Sequence, residues 1–119
     1  MNKKLTFLLL FSGSSGVFGD DYQDGWDAYE RKDYKTAYKL WLPLAEQGNA
    51  KAQYNLGVMY AKGRGFPQDY ILAHMWLNLS GANGYKRGIK LRNLAEKKMT
   101  ASQIEKAREL ARNWKPTSK

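Results

Sequence analysis

The sequence predicts an all-α fold, a short solenoid of antiparallel helix pairs. Apolar residues recur at three- and four-residue spacing along most of the chain. No stretch alternates apolar and polar residues for long enough to make a strand. Asp33-Tyr34-x-x-Ala37 returns as Asp69-Tyr70-x-x-Ala73, and Gly48 returns as Gly84, both 36 residues later. A period in the mid-thirties is that of stacked helix pairs, none of which buries its apolar stripe alone.

The elements follow in order. Asn2-Lys3-Lys4, the apolar run Leu5 to Phe11 and the small residues Ser12 to Gly19 have the order of a secretory signal: charged, apolar, then small. The run is shorter than the roughly 20 apolar residues that span a bilayer. Residues 1–19 are therefore expected to be a signal peptide cut after Gly19, with a cut after Gly16 as the alternative. The expected product is periplasmic or secreted and has no transmembrane segment.

Six amphipathic stripes come next. The first is Tyr22, Trp26, Tyr29. The second is Tyr34, Ala37, Tyr38, Trp41, Leu44, Ala45, and the third Ala52, Leu56, Met59, Tyr60. Ala73, Trp76, Leu77, Ser80 form the fourth. Leu91, Leu94, Ala95, Met99 form the fifth, and Ile104, Ala107, Ala111, Trp114 the sixth. Asp33 and Asp69 can cap helix starts. Thr100 with Gln103 has the spacing of a capping box. Gly48 and Gly84 suit the left-handed position after a helix. Gly63-Arg64-Gly65-Phe66-Pro67 is a helix-breaking loop. Pro43 lies inside the second stripe and should bend its helix near Leu42, and Pro116 ends the last helix. Trp41 and Trp76 pair at an offset of 35, so one residue of slippage is expected in the repeat.

These residues resemble a known family. Ala50 to Tyr70 (AKAQYNLGVMYAKGRGFPQDY), continuing to Ala73 and Trp76, is similar to a Sel-1-like repeat, a relative of the tetratricopeptide repeat. Asp33-Tyr34 to Leu44-Ala45-Glu46-Gln47-Gly48-Asn49-Ala50 resembles the second helix of another such repeat, and Met99-Thr100-x-x-Gln103-Ile104 the closing helix of small bacterial members. The resemblance covers about residues 24–114. It implies a right-handed α-solenoid over residues 20–114, with one complete repeat at about 50–85, half-repeats as caps and a tail at 115–119. Two positions depart from the family pattern. Phe66 stands where valine is usual, and Ser80-Gly81 where two alanines are usual. Gly81 should cost up to about 1 kcal/mol inside a helix.

Composition narrows the chemistry. The 119 residues contain no cysteine and one histidine, His74. That excludes disulfides, thiolate–metal sites and a cysteine nucleophile, and argues against a histidine-rich metal site. Gly63-Arg64-Gly65 follows a helix and lacks the Gly-Lys-Ser/Thr ending of a phosphate loop. The spacing of Asp20, Asp21, Asp24 and Asp27 fits no calcium loop. His74 has no carboxylate three or four residues away and reads as a surface or half-buried side chain rather than a general base. No catalytic, cofactor-binding or metal-binding residue is assigned, and no enzyme activity is expected.

The charge is polarised. The formal net charge is +9. Residues 20–33 carry −4, residues 34–119 carry +11, and residues 85–119 alone carry +8. An acidic partner protein is one reading of the basic end, and a solvated face is the other. An acidic head and a basic tail also permit self-association. Most aromatics lie in the apolar stripes, so nucleic acid is not an expected partner.

The resemblance implies an interaction scaffold, since members of the family gather other proteins. Cysteine-rich relatives have been linked to β-lactam binding, but this chain lacks their paired cysteines and any Ser-x-x-Lys or Lys-Thr-Gly motif. The expected function is an exported adaptor holding a partner in a concave groove. A small inhibitor or immunity protein for a secreted enzyme is the alternative, and a β-lactam or cell-wall hydrolase a weaker one. The first helix of each pair should line the groove. Tyr54, Asn55 and Val58, as non-core positions of the complete repeat, are the expected partner contacts, joined by Arg92 from the next pair.

Overall fold

A computed structural model describes residues 17–116. The signal-like stretch 1–16 and the last three residues of the tail lie outside the described residues. Six α-helices follow one another, α1 (Val17–Glu30), α2 (Tyr34–Glu46), α3 (Ala50–Lys62), α4 (Tyr70–Ala82), α5 (Lys86–Glu96) and α6 (Ala101–Asn113), and the described residues contain no strand. The expected cleavage point after Gly19 falls in the first turn of α1.

The helix boundaries have the expected chemical causes. The side chains of Asp33 and Asp69 accept from the backbone N–H of Thr36 and Leu72. Asn49 caps α3 in the same way, accepting from Ala52. Thr100 and Gln103 form a reciprocal capping box, satisfying two backbone donors that would otherwise lack partners. Gly48 and Gly84 turn the chain with φ of +101° and +103°. α2 runs on through Pro43, which is exposed to solvent.

Packing follows chain order for five helices and then departs from it. α1 packs on α2, α2 on α3 and α3 on α4, as in a solenoid. α5 also packs on α4, but α6 returns to α4 instead of lying along α5. The last two helices are thus not a third antiparallel pair like the first two. The cause is apolar: Leu110, Ala111 and Trp114 join the main core, with the Trp114 ring 6.2 Å from that of Trp76.

The stripes predict most of the core. Ala37, Trp41, Leu44, Ala45, Ala52, Leu56, Met59, Ala73, Trp76 and Leu77 are buried. Leu94 is an exception. It belongs to the fifth stripe, yet 54% of it is exposed, because no helix among the described residues covers that side of α5.

The repeat register also differs from expectation. Trp41 corresponds in space to Leu77, not to Trp76. A methyl group at Gly57 on α3 would lie 2.6 Å from Leu77 Cγ, and one at Gly25 on α1 would collide with the Trp41 indole. In both pairs a glycine of the first helix thus receives a large apolar side chain of the second. The offset from Trp41 to Leu77 is the same 36 residues that separates Asp33 from Asp69, so the second helices need no slippage. Gly25 and Gly57 lie 32 residues apart because the loop after α3 is four residues longer than the loop after α1.

Gly81 and Gly88 have a related role between α4 and α5. A methyl group at Gly88 would lie 2.8 Å from the Leu77 carbonyl oxygen and 2.9 Å from the Gly81 nitrogen. The propensity cost of Gly81 therefore comes with a close approach of the two helices that a side chain would prevent. Ser80 is buried and donates to the Ala50 carbonyl at 2.8 Å, which satisfies its hydroxyl.

Two stability predictions follow from this packing. Trp76→Ala removes a buried ring and its contact with Trp114, and should lower the unfolding free energy by roughly 3–5 kcal/mol. Gly57→Ala overpacks the α3–α4 contact and should cost roughly 1–3 kcal/mol. Urea titrations followed by circular dichroism measure both, and an unchanged midpoint for Gly57→Ala would remove the close-approach account.

Candidate functional site: an aromatic cleft on the first helices

Tyr54, Asn55 and Val58 line one cavity of about 120 Å³, and Trp26, Tyr29 and Trp41 complete its wall. α1 and α3 supply the sides and α2 supplies Trp41. The rings hold one another in edge-to-face and tilted arrangements. Trp26 and Trp41 have centroids 5.1 Å apart at 71°, and Tyr29 lies 5.5 Å from Trp26. Such pairs are stabilised by the aromatic quadrupole beyond their burial. The Trp41 Nε1–H donates to the Tyr22 carbonyl at 3.1 Å, so the indole is fixed at its polar end as well.

Asn55 is not the non-core position its sequence neighbourhood suggests. Only 5% of it is exposed, and its Nδ2 donates to the Tyr22 hydroxyl at 3.4 Å. It forms a polar point in an otherwise apolar wall. Tyr54 and Val58 are half-buried, and Tyr54 also packs edge-on against Tyr85 at 5.1 Å. Arg92 does not join this cleft. It lies on α5 and donates to Asn78 Oδ1 of α4 at 2.7 Å and to Asn93.

Arg64 is a contributor that sequence reasoning missed. Its guanidinium donates to the Tyr29 hydroxyl at 2.6 Å and lies over the Tyr29 and Tyr34 rings at 5.6 and 5.8 Å. The loop after α3 thereby fixes a ring of the cleft. The available signal was the arginine between two glycines, which reads only as loop punctuation until the fold brings α1 beside it. Phe66 of the same loop stacks on Tyr60 at 4.2 Å and meets Tyr38 edge-on at 5.0 Å. The Tyr38 and Tyr60 hydroxyls are 3.2 Å apart. Burial, then the hydrogen bond with Tyr38, hold the Tyr60 phenol well above its ordinary pKa.

His74 is also corrected. It is fully buried, and its Nε2 lies 2.7 Å from Glu96 Oε2 at the end of α5. The carboxylate that local spacing did not supply comes from the next helix. Nδ1 makes no hydrogen bond. A proton on Nε2 is the arrangement that leaves a lone pair, rather than an N–H, without a partner there. Arg108 of α6 reaches the same carboxylate oxygen at 3.6 Å. The hydrogen bond from His74, with the nearby positive charges, lowers the Glu96 pKa below its ordinary value. His74 is enclosed away from the cleft's lining, so its role is structural. Among the described residues no group of three His, Asp or Glu side chains is placed to hold a metal ion.

The helix pairs and the 36-residue register point to one family of repeats. The Sel1 repeat family model matches residues 13–49 and 50–85. The chain belongs to the Sel1 repeat family. The first match includes α1 and α2, the second α3 and α4. Sel1 repeats generally mediate protein–protein interaction, and the match indicates no catalytic family. No solved structure matches the chain. Among the described residues no helix is long and apolar enough to cross a membrane.

A pH-dependent stability is expected from Glu96. Folding lowers its pKa, so the stabilisation is fully present above the unfolded carboxyl's ordinary value of 4.5. It is lost as pH falls through the lower folded value. Glu96→Gln should therefore cost roughly 1 kcal/mol at neutral pH and less at a pH well below 4.5. Urea midpoints of both proteins at the two pH values check this, and an equal loss at both would show that charge on Glu96 is not what matters.

Proposed function

We propose that this Sel1 repeat protein is an exported, non-enzymatic interaction module that holds a partner protein along the faces of its first helices, with Tyr54, Asn55 and Val58 as contacts. The observation that carries the proposal is their convergence on one cleft with Trp26, Tyr29 and Trp41. Tyrosine and tryptophan offer large contact area at low entropic cost, and such residues dominate the energetics of protein interfaces. Asn55 adds an amide to the wall that a polar group on the partner can pair with. Arg92 is held by Asn78 and stands outside this contact set.

The order of charged, apolar and small residues over positions 1–19 supports export, with residues 20–114 as the interaction domain. Crosslinking in cells followed by affinity capture and mass spectrometry tests the reading. The double variant Tyr54→Ala, Val58→Ala should keep its helical spectrum and weaken capture of a stoichiometric partner roughly tenfold. Undiminished capture by a folded double variant would remove the cleft from the binding surface.

A further inference from the structure

We propose that a second cavity, between α3 and α5, is a docking site for an acidic protein segment carrying one bulky apolar side chain. The proposal rests on the reading of the chain as an interaction module, but on residues separate from the aromatic cleft. The cavity is about 130 Å³ and is lined by Ala61 of α3, Tyr70 and Leu77 of α4, Leu91, Leu94 and Ala95 of α5, and Lys98 just beyond it. It repeats the architecture of the first: two first helices form the walls, and the residue 36 positions after Trp41 takes the place of that indole. The wall is mainly aliphatic, with Tyr70 as its one ring, where the first is mainly aromatic.

Leu94 marks this cavity as unpartnered. Ile89 and Leu94 are the exposed large hydrophobic residues among those described, and both lie on α5. α6 packs on α4 and leaves this side of α5 uncovered. Leucine at more than half exposure on the rim of an apolar cavity gains by covering. An apolar cavity of about 150 Å³ admits a benzene molecule, so this one suits a single phenylalanine or leucine side chain.

Charge identifies the rest of the occupant. Arg87, Leu91, Leu94 and Lys98 follow one another at spacings of four, three and four, which places them along one face of α5. Two leucines are thus bracketed by two cations. Neither Arg87 nor Lys98 belongs to an ion pair among the described residues. Glu96, the acid of α5, is already engaged by His74 and Arg108. At helical rise Arg87 and Lys98 are roughly 16 Å apart. An extended segment crosses that span in about five residues. The complementary ligand is an extended stretch with a bulky apolar residue at its centre and carboxylates on both sides.

A second copy of the chain fits less well: among the described side chains of its acidic helix α1, Tyr22, Trp26 and Tyr29 are already packed against their own core.

The test uses the full chain, labelled with nitrogen-15, and an acetylated heptapeptide of sequence DDEFEDD. Amide shifts should move at Ala61, Leu91, Leu94 and Lys98. Replacing the central phenylalanine by alanine (DDEAEDD) should weaken binding roughly tenfold. Leu94→Ser should do the same without changing the melting temperature, since that side chain is half outside the fold. Arg87→Glu with Lys98→Glu should weaken it further and reduce its salt dependence. The Tyr54→Ala, Val58→Ala variant should bind the peptide as the parent does, so this result stands or falls apart from the aromatic cleft. Equal affinity for the phenylalanine and alanine peptides, shifts centred on Trp26 and Tyr54, or no binding at millimolar peptide would each overturn the proposal. So would a concentration-dependent dimer that Leu94→Ser dissociates, since a second copy would then be the occupant.

Discussion

A missing side chain on each first helix, facing a large apolar side chain on the second, sets the geometry on which the rest of this molecule depends. Gly25 receives Trp41 and Gly57 receives Leu77. Each contact draws two helices closer than side chains on both would allow, and so fixes how far the large residue reaches between neighbouring first helices. Trp41 and Leu77 thereby become walls of the two cavities. One backbone arrangement, used twice with different residues, produces a mainly aromatic site and a mainly aliphatic one. The surface chemistry of the two sites is thus a direct result of core packing.

Much of this was legible in the sequence. Helical spacing gave six helices because each apolar stripe is local, and local pattern is what a sequence displays. Asp33, Asp69 and Thr100 marked helix starts because caps act within three residues. The Tyr54, Asn55, Val58 grouping was legible because the three share a helical flank. The burial of Asn55 was not, since it depends on Tyr22, 33 residues earlier. The enclosure of His74 by Glu96 and the hold of Arg64 on Tyr29 were hidden for the same reason. The repeat register was misread by one residue because tryptophan was matched to tryptophan. Structurally the equivalent of an indole is whatever side chain faces the glycine.

The end of the chain is where pattern and packing diverge most. The fifth stripe reads as an ordinary buried face, but α5 buries only Gly88 and Ala95. A repeat that continued would bring another first helix against that face. Here α6 returns to α4, and Glu96 joins three helices by accepting from His74 of α4 and meeting Arg108 of α6. The charge imbalance of the C-terminal third then has a location: cations along an incompletely covered helix.

The return of α6 has a consequence for the order in which the molecule opens. α6 buries only Ala107 completely and is otherwise held by the partly buried Leu110, Ala111 and Trp114 and by the Arg108–Glu96 ion pair. Cooperative units with few buried contacts detach at the lowest free energy. In native-state amide exchange, α6 is therefore expected to trade its protons with solvent before α2, α3 and α4. Each such excursion strips Trp114 from Trp76 and bares the flank of α4, the surface against which a further helix could stack. The terminal helix thus behaves as a removable stopper on the stack.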